Sequence, residues 1–221
     1  MLPGFACWSA ALKSVLIYGD SQTWGRQPGV PERMPYARRW TSVMGARLGP
    51  DVHLIIEALN GRTTCRDEPW KPWRNGAAHL DMMLACHAPL DLVVIALGCN
   101  DLQWHQHMGA YESTLGAQVL LEKVLGWRGE PAGTPPKALL LAPPRITAPA
   151  GMLQEKFRDA PEKADEQQRR YRELAGQLGV TFFSMADVAE PSPIDGVHLD
   201  EAGQQKLGEA MAPVVADVLK R

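Results

Sequence analysis

Apolar runs and amphipathic stretches alternate along the whole chain. Five short runs rich in aliphatic and β-branched residues lie at 14–18, 52–58 (VHLIIEA), 91–97 (DLVVIAL), 137–142 (KALLLA) and 180–183 (VTFF). They show little polar/apolar alternation, as strands buried on both faces do. Between them, helical periodicity covers about 35–48, 110–126, 162–178 and 200–219. Within 110–126, Leu115, Val119, Leu120 and Val124 recur at helical spacing and predict the inner face, with Glu112, Gln118 and Lys123 off it. The last helix repeats this with Leu207, Met211, Val214, Val215 and Leu219, and Pro213 is expected to kink it. Residues 65–79 mix Pro, Trp and charge and read as a packed loop, and 128–136 as a turn-rich surface connection. Such strand–helix alternation predicts an α/β chain: a three-layer α/β/α sandwich around a central, mostly parallel five-stranded sheet. With no internal repeat or linker in sight, residues 14–221 read as a single domain behind an N-terminal extension, 1–13.

Composition narrows the class. The 221 residues are 45% hydrophobic and 22% charged, with a formal net charge of −2, as in a globular chain able to bury a substantial core. The densest basic spots, Arg38-Arg39 and Arg169-Arg170, fall in helical patterns and read as solvated faces, so nucleic acid is not an expected partner. Four cysteines (Cys7, Cys65, Cys86, Cys99) show no metal-ligand spacing and fit a reducing compartment. The opening MLPGFACWSAALK lacks a basic leader and reads as a ragged extension rather than a signal peptide. No apolar stretch is long enough to span a bilayer. A cytoplasmic protein without a membrane partner is the expectation.

Chemistry gathers at the predicted strand ends. The first run stops at Gly19-Asp20-Ser21, where open α/β sheets keep their ligands. On those residues alone, Asp-Ser reads equally as a helix cap. After the second strand, Asn60-Gly61 can present a backbone N–H, or be an ordinary turn. After the third, Gly98-Cys99-Asn100-Asp101 puts a side-chain amide donor at the same edge. Near the C-terminus, Asp195 and His198 stand three apart in a glycine-containing turn. There a carboxylate can hold Nδ1–H and leave Nε2 free as a base. A serine, a backbone N–H, an amide donor and an Asp/His pair are the groups acyl transfer requires.

These blocks, in this order over residues 19–198, resemble the SGNH hydrolases, also called GDSL-type esterases: Gly19-Asp20-Ser21-Gln22-Thr23, Gly61, Gly98-Cys99-Asn100-Asp101 and Asp195-Gly196-Val197-His198. GDSQTWG, EALNGRTT and HAPLDLVVIALGCNDL are similar to the bacterial aryl-esterase/acyltransferase (perhydrolase) branch. The resemblance implies the SGNH, flavodoxin-like form of the sandwich and no cofactor or metal. It implies Ser21 as nucleophile, His198 as base, Asp195 as its orienter, and oxyanion donors from the Ser21 and Gly61 N–H groups and the Asn100 amide. It further implies a small-molecule ester substrate, passage of the acyl group to water, alcohol or peroxide, and a homo-oligomer, an octamer in that branch. The chain departs from the branch at Gln22, Arg26 and Cys99, in the stretch 104–109, and in lacking an aromatic-rich loop over 149–163.

Gln22, Trp24, Arg26, Cys99 and Val197 are the substrate-binding candidates, Trp24 reading equally as packing beneath the catalytic loop. Asp20 and Asp101 read as braces for loop N–H groups. His105 and His107 form a His-x-His with no third ligand nearby in sequence, so they, like Trp70, Trp73 and Trp104, are assigned to the entrance or an interface. Serine esterase action on small carboxylic esters is the reading. A thioesterase or lysophospholipase, a carbohydrate deacetylase, and a catalytically silent carbohydrate-binding module are its alternatives.

Overall fold

A computed structural model describes residues 12–130 and 133–221, so most of the expected extension, and Cys7 with it, lies outside the described residues. Five strands form one sheet: β1 (Lys13–Gly19), β2 (Val52–Ala58), β3 (Leu92–Ala96), β4 (Lys137–Ala142) and β5 (Thr181–Ser184), in the order β2-β1-β3-β4-β5. Every pairing is parallel. The first strand begins at Lys13, paired with Val52, and not at residue 14.

The helices are α1 (Ser21–Trp24), α2 (Trp40–Leu48), α3 (Gly76–His87), α4 (Ala110–Leu125), α5 (Met152–Lys156), α6 (Ala160–Leu178) and α7 (Glu201–Lys220). Alternate strand residues feed two separate cores, as the two-residue pleat period requires. Val15, Ile17, Val94, Leu139 and Leu141 pack with Trp40 and Met44 of α2 and Leu207, Met211 and Val215 of α7. Leu16, Tyr18, Val93, Ile95 and Leu140 pack with Leu80 and Leu84 of α3, Leu120 and Leu121 of α4, and Tyr171 and Leu174 of α6. These are the two helical layers of the sandwich.

The structure corrects three expectations about helices, the first being the one over 35–48: α2 begins at Trp40, after a short 3-10 turn at Tyr36–Arg38 and an extended Arg39. Residues 76–79 are the first turn of α3, not loop; only Gly76, Leu80 and Leu84 of that helix are buried, too sparse a stripe to stand out among its Ala and Met. In α4 the buried face is Ser113, Gly116, Ala117, Leu120, Leu121 and Val124, while Leu115 and Val119 are exposed. Small residues turn inward there because Thr64 approaches so closely that a Cβ on Gly116 would lie 1.9 Å from Thr64 Oγ1. Helix α7 runs as one helix from Glu201 to Lys220, and Pro213 within it removes one N–H from the ladder.

The sheet order also fixes where a ligand belongs. From β1 the chain crosses to β2 on one side, while β3, β4 and β5 build out on the other. The crevice between the carboxyl ends of β1 and β3 is therefore the topological switch point, the usual ligand position in open α/β sheets.

Candidate active site

The loops after β1 and β3 meet at that crevice. Gly19 ends β1 where Thr23 folds back over it; a Cβ there would lie 2.3 Å from Thr23 Oγ1. Asp20 is the N-cap of α1, its Oδ1 accepting from the Gln22 N–H at 2.9 Å. The cap thus directs Ser21, the first helical residue, toward the C-terminal loop. The capping and chemical readings of Asp-Ser describe the same turn.

Residues 192–200 carry the partner groups. Gly196 takes φ +67°, and the chain curls so that Asp195 Oδ1 accepts the N–H groups of Val197 (2.9 Å) and His198 (2.8 Å). Asp195 Oδ2 lies 2.8 Å from His198 Nδ1 and also accepts the Gly29 N–H at 3.3 Å. His198 Nε2 then lies 3.0 Å from Ser21 Oγ. A carboxylate already accepting backbone protons requires the proton on Nδ1, which leaves the Nε2 lone pair facing the hydroxyl. Burial works to raise the Asp195 carboxyl, but the bonds from the His198 ring and loop N–H groups hold it below the usual aspartate value. Ser21, Asp195 and His198 are all buried. An imidazole so held can take the serine proton and form an imidazolium beside an ionised carboxylate.

Gly61 and Asn100 border the same cavity, and among the described residues neither the Ser21 nor the Gly61 N–H donates to another protein group. Asn100 Nδ2 donates to Asp20 Oδ2 and to the Arg62 carbonyl, each at 3.1 Å, and its Oδ1 accepts from Gln103 Nε2 at 2.5 Å. Both Nδ2 protons are thus held by the neighbouring loops at the cavity edge, and one must turn from its acceptor to reach a substrate oxygen.

Two buried carboxylates stand behind this edge. Burial, with Asp101 nearby, pushes Asp20 up to about 7 against the pull of the Gln22 N–H, Arg62 and Asn100. Asp101 rises to about 6, chiefly by burial. It accepts from the Thr64 N–H (2.8 Å), Thr64 Oγ1 (2.9 Å) and Ser113 Oγ (2.7 Å), tying the loops after β2 and β3 to α4. Both act as braces for loop donors.

The cavity, about 540 Å³, has Phe157, Leu153 and Ile194 on its apolar side and Arg26, Lys71, Arg74 and Lys156 among its polar lining. Of the substrate-binding candidates only Arg26 borders it. Gln22 is buried behind the site, where Nε2 donates to the Val197 carbonyl (2.7 Å) and Oε1 accepts the Leu199 N–H (3.2 Å). It clamps the His198 loop instead of meeting substrate. Cys99 and Val197 lie in a small core with Leu102, Ile146, Phe157 and Ala160, one layer behind the cavity wall. Burial raises the Cys99 thiol well above its usual value, unlike a reactive cysteine. Trp24 lies under the Arg33 guanidinium, 4.8 Å from its ring centre, outside the cavity lining.

His105 Nε2 lies 3.1 Å from Glu68 Oε1, and its ring packs at 5.3 Å from that of Trp70, while His107 packs edge-on to Trp104. With Lys71, Met152 and Lys156, the residues Glu68, Trp70, Trp104 and His105 border a groove that adjoins the cavity. Sequence reasoning missed Arg62, which lies 4.0 Å over the Tyr18 ring and donates to the Gly19 and Glu57 carbonyls, locking the ends of β1 and β2. It also missed Lys71, Arg74 and Lys156, which no local motif marks.

The profile of the GDSL-like lipase/acylhydrolase family matches residues 17–206. Among solved structures, the native aryl esterase of Mycobacterium smegmatis is similar over 93% of this chain and 99% of its own, at 37% identity and a TM-score of 0.89. A carbohydrate acetylesterase from Sinorhizobium meliloti is 39% identical over 93% of this chain and 99% of its own, with a TM-score of 0.90. A carbohydrate acetylesterase family member from the same organism is 37% identical over 95% and 100%, with a TM-score of 0.91. A search of curated proteins finds no match.

Proposed function

The chain belongs to the GDSL-like lipase/acylhydrolase family and is a carboxylic ester hydrolase, and from that premise we propose that it works as a serine esterase on small acyl esters, with Ser21 as nucleophile, His198 as base and Asp195 as orienter. The carrying observation is the hydrogen-bond chain Ser21 Oγ–His198 Nε2 (3.0 Å) and His198 Nδ1–Asp195 Oδ2 (2.8 Å). In this reading His198 takes the Ser21 proton as Oγ attacks the ester carbonyl. The Ser21 and Gly61 N–H groups and the Asn100 amide hold the oxygen that becomes negative. Removing one such donor typically lowers the rate about 100-fold or more. The alkoxide departs with the proton from His198, and an acceptor then frees the acyl group from Ser21 through the same base.

Transfer of that acyl group to alcohol or peroxide is the finer part of the proposal, supported by the likeness to the aryl-esterase branch. Homo-oligomer formation is another, supported by the apolar residues left exposed on α4. A cytoplasmic site is supported by Cys65, Cys86 and Cys99, which form no disulfide among the described residues. No described helix is long and apolar enough to cross a membrane. A carbohydrate ester as substrate is favoured by the Sinorhizobium relatives and by Trp70 and Trp104 beside the cavity, where aromatic faces suit sugar rings.

The test is hydrolysis of p-nitrophenyl esters from acetate to octanoate, wild type beside Ser21→Ala. Activity concentrated on acetate and absent from the variant is the expected result. Activity rising with chain length would point instead to thioesterase or lipase work. Full turnover by Ser21→Ala would remove the serine mechanism.

A further inference from the structure

Four cationic side chains border the cavity: Arg26 just past α1, Lys71 and Arg74 from the loop before α3, and Lys156 at the end of α5. Among the described residues none of them is paired with a carboxylate. Elsewhere on the surface pairing is common, as in Arg38 with Glu201, Arg145 with Asp165 and Arg169 with Glu173. Arg74 spends Nε on the Asn60 carbonyl (3.0 Å) and Nη1 on the Pro72 carbonyl (2.8 Å). Those bonds fix the guanidinium beside Gly61 while leaving its charge uncompensated.

Among the described residues the nearby acids make no ion pair with these cations. The Asp195 oxygens are committed to His198 and to loop N–H groups, and Glu155 pairs with Arg158. Glu68, in the adjoining groove, has Oε1 on His105 and a buried Oε2 without a partner, and it attracts Lys156 without an ion-pair contact. Burial lowers the Lys156 ammonium from its usual value, and Lys71 adds to the effect. Lys156 is thus held half-buried, with Lys71 nearby and no anion in ion-pair contact. The chain as a whole carries −2, so the positive rim belongs to this cavity and not to the surface at large.

We propose that the ester taken by this site itself carries a negative charge, a carboxylate, sulfate or phosphate, which Arg26, Lys71, Arg74 and Lys156 bind while the ester carbonyl lies at Ser21. The proposal rests on the esterase reading of Ser21. A cavity with partly buried cations and limited water strengthens such contacts beyond those of exposed pairs. It also raises the local concentration of anionic substrate and weakens as salt screens it.

The test compares two matched pairs of esters with the full-length protein. 4-Acetoxybenzoate and its methyl ester place the charge, or its neutral equivalent, on the leaving group. Phenyl hydrogen glutarate and phenyl methyl glutarate place it on the acyl group. In the first pair the neutral ester has the better leaving group, so chemistry alone favours it. The expected result is a kcat/KM ratio of anionic to neutral ester of about tenfold or more in at least one pair, as charge-assisted contacts supply. That ratio falls several-fold between low and 0.5 M NaCl in the wild type, a readout that needs no variant. It also falls about tenfold in Lys71→Met/Lys156→Met. Ratios at or below one in both pairs, unmoved by salt, would overturn the proposal. If the neutral esters are still cleaved in a Ser21-dependent way, the esterase reading survives that failure. If Ser21→Ala matches wild type on every ester, both readings fall together.

Discussion

At the scale of single residues, the site depends on which atoms carry protons. Asp195→Asn keeps an oxygen for the Val197 and His198 N–H groups but presents an amide to His198 Nδ1. The imidazole proton then moves to Nε2, and the ring can no longer accept from Ser21. The expected outcome is a fall in kcat of about 10³- to 10⁴-fold, with circular dichroism and thermal unfolding close to wild type. Full activity in a folded variant would remove Asp195 from the mechanism. Asp20 makes a different prediction. Its folded value near 7, against a usual 3.8, means that between those values the folded chain keeps a proton that the unfolded chain has lost. Stability from this group is therefore present below about pH 4 and declines as pH rises toward 7, with Asp101 acting in the same direction up to about 6. Asp20→Asn cannot ionise, so urea unfolding at pH 5, 6, 7 and 8 should show a flatter fall in stability than wild type. An unchanged slope would mean that Asp20 is ionised in the fold. Ser21, Asp195 and His198 were legible because each stands in a short local motif. Gln22 was misread because its role lies in Val197 and Leu199, 175 and more positions away, which no local pattern encodes.

At the scale of elements, the strands were legible almost to their ends, since a short unbroken apolar run between two helices is seldom anything but a strand buried on both faces. Helix faces were less so. Leu115 and Val119 lie on a helical stripe, yet the inner face of α4 follows Gly116 and Ala117, because Thr64 leaves no room for larger side chains. Side-chain size at a close contact, which depends on a distant loop, decided the outcome. The loop carrying Asp195 and His198 shows the same dependence and permits a controlled comparison. Gly196 and Gly179 have nearly equal positive φ, +67° and +66°. A Cβ on Gly179, at the end of α6, meets nothing within 4 Å, while one on Gly196 would lie 2.0 Å from the Ala148 carbonyl oxygen. Gly179→Ala should therefore cost only the left-handed backbone strain, about 1–2 kcal/mol, with activity retained. Gly196→Ala adds a clash that must shift the His198 loop, and about 100-fold or more of kcat should go with it. Equal activity in the two variants, measured beside their melting temperatures, would show that the loop yields without moving the imidazole.

At the scale of the whole molecule, two surface features lie outside what any motif could reveal. Positive charge collects at the cavity from three separate segments, and apolar area collects on the outer layer of the sandwich. On α4, Tyr111, Leu115 and Val119 recur at four-residue spacing and are 54%, 43% and 40% exposed. A continuous helical stripe of that kind is what one copy would offer a second, whereas scattered exposed apolar residues carry no such implication. None of the three borders the cavity that holds Ser21, so assembly through the stripe would leave that cavity open. Under the proposed homo-oligomer, light scattering at micromolar concentration should give a multiple of the 24.3 kDa chain mass. Leu115→Lys/Val119→Lys, with both substitutions on exposed positions, should shift it toward the monomer while leaving phenyl acetate turnover per chain within about twofold, as remote surface changes usually do. A monomer in the wild type would withdraw the assembly and leave the esterase chemistry untouched. An oligomer that survives both lysines would place the contact elsewhere, on the exposed Trp70, Trp104 and Met152 beside the cavity, and there association and substrate entry would have to be measured together.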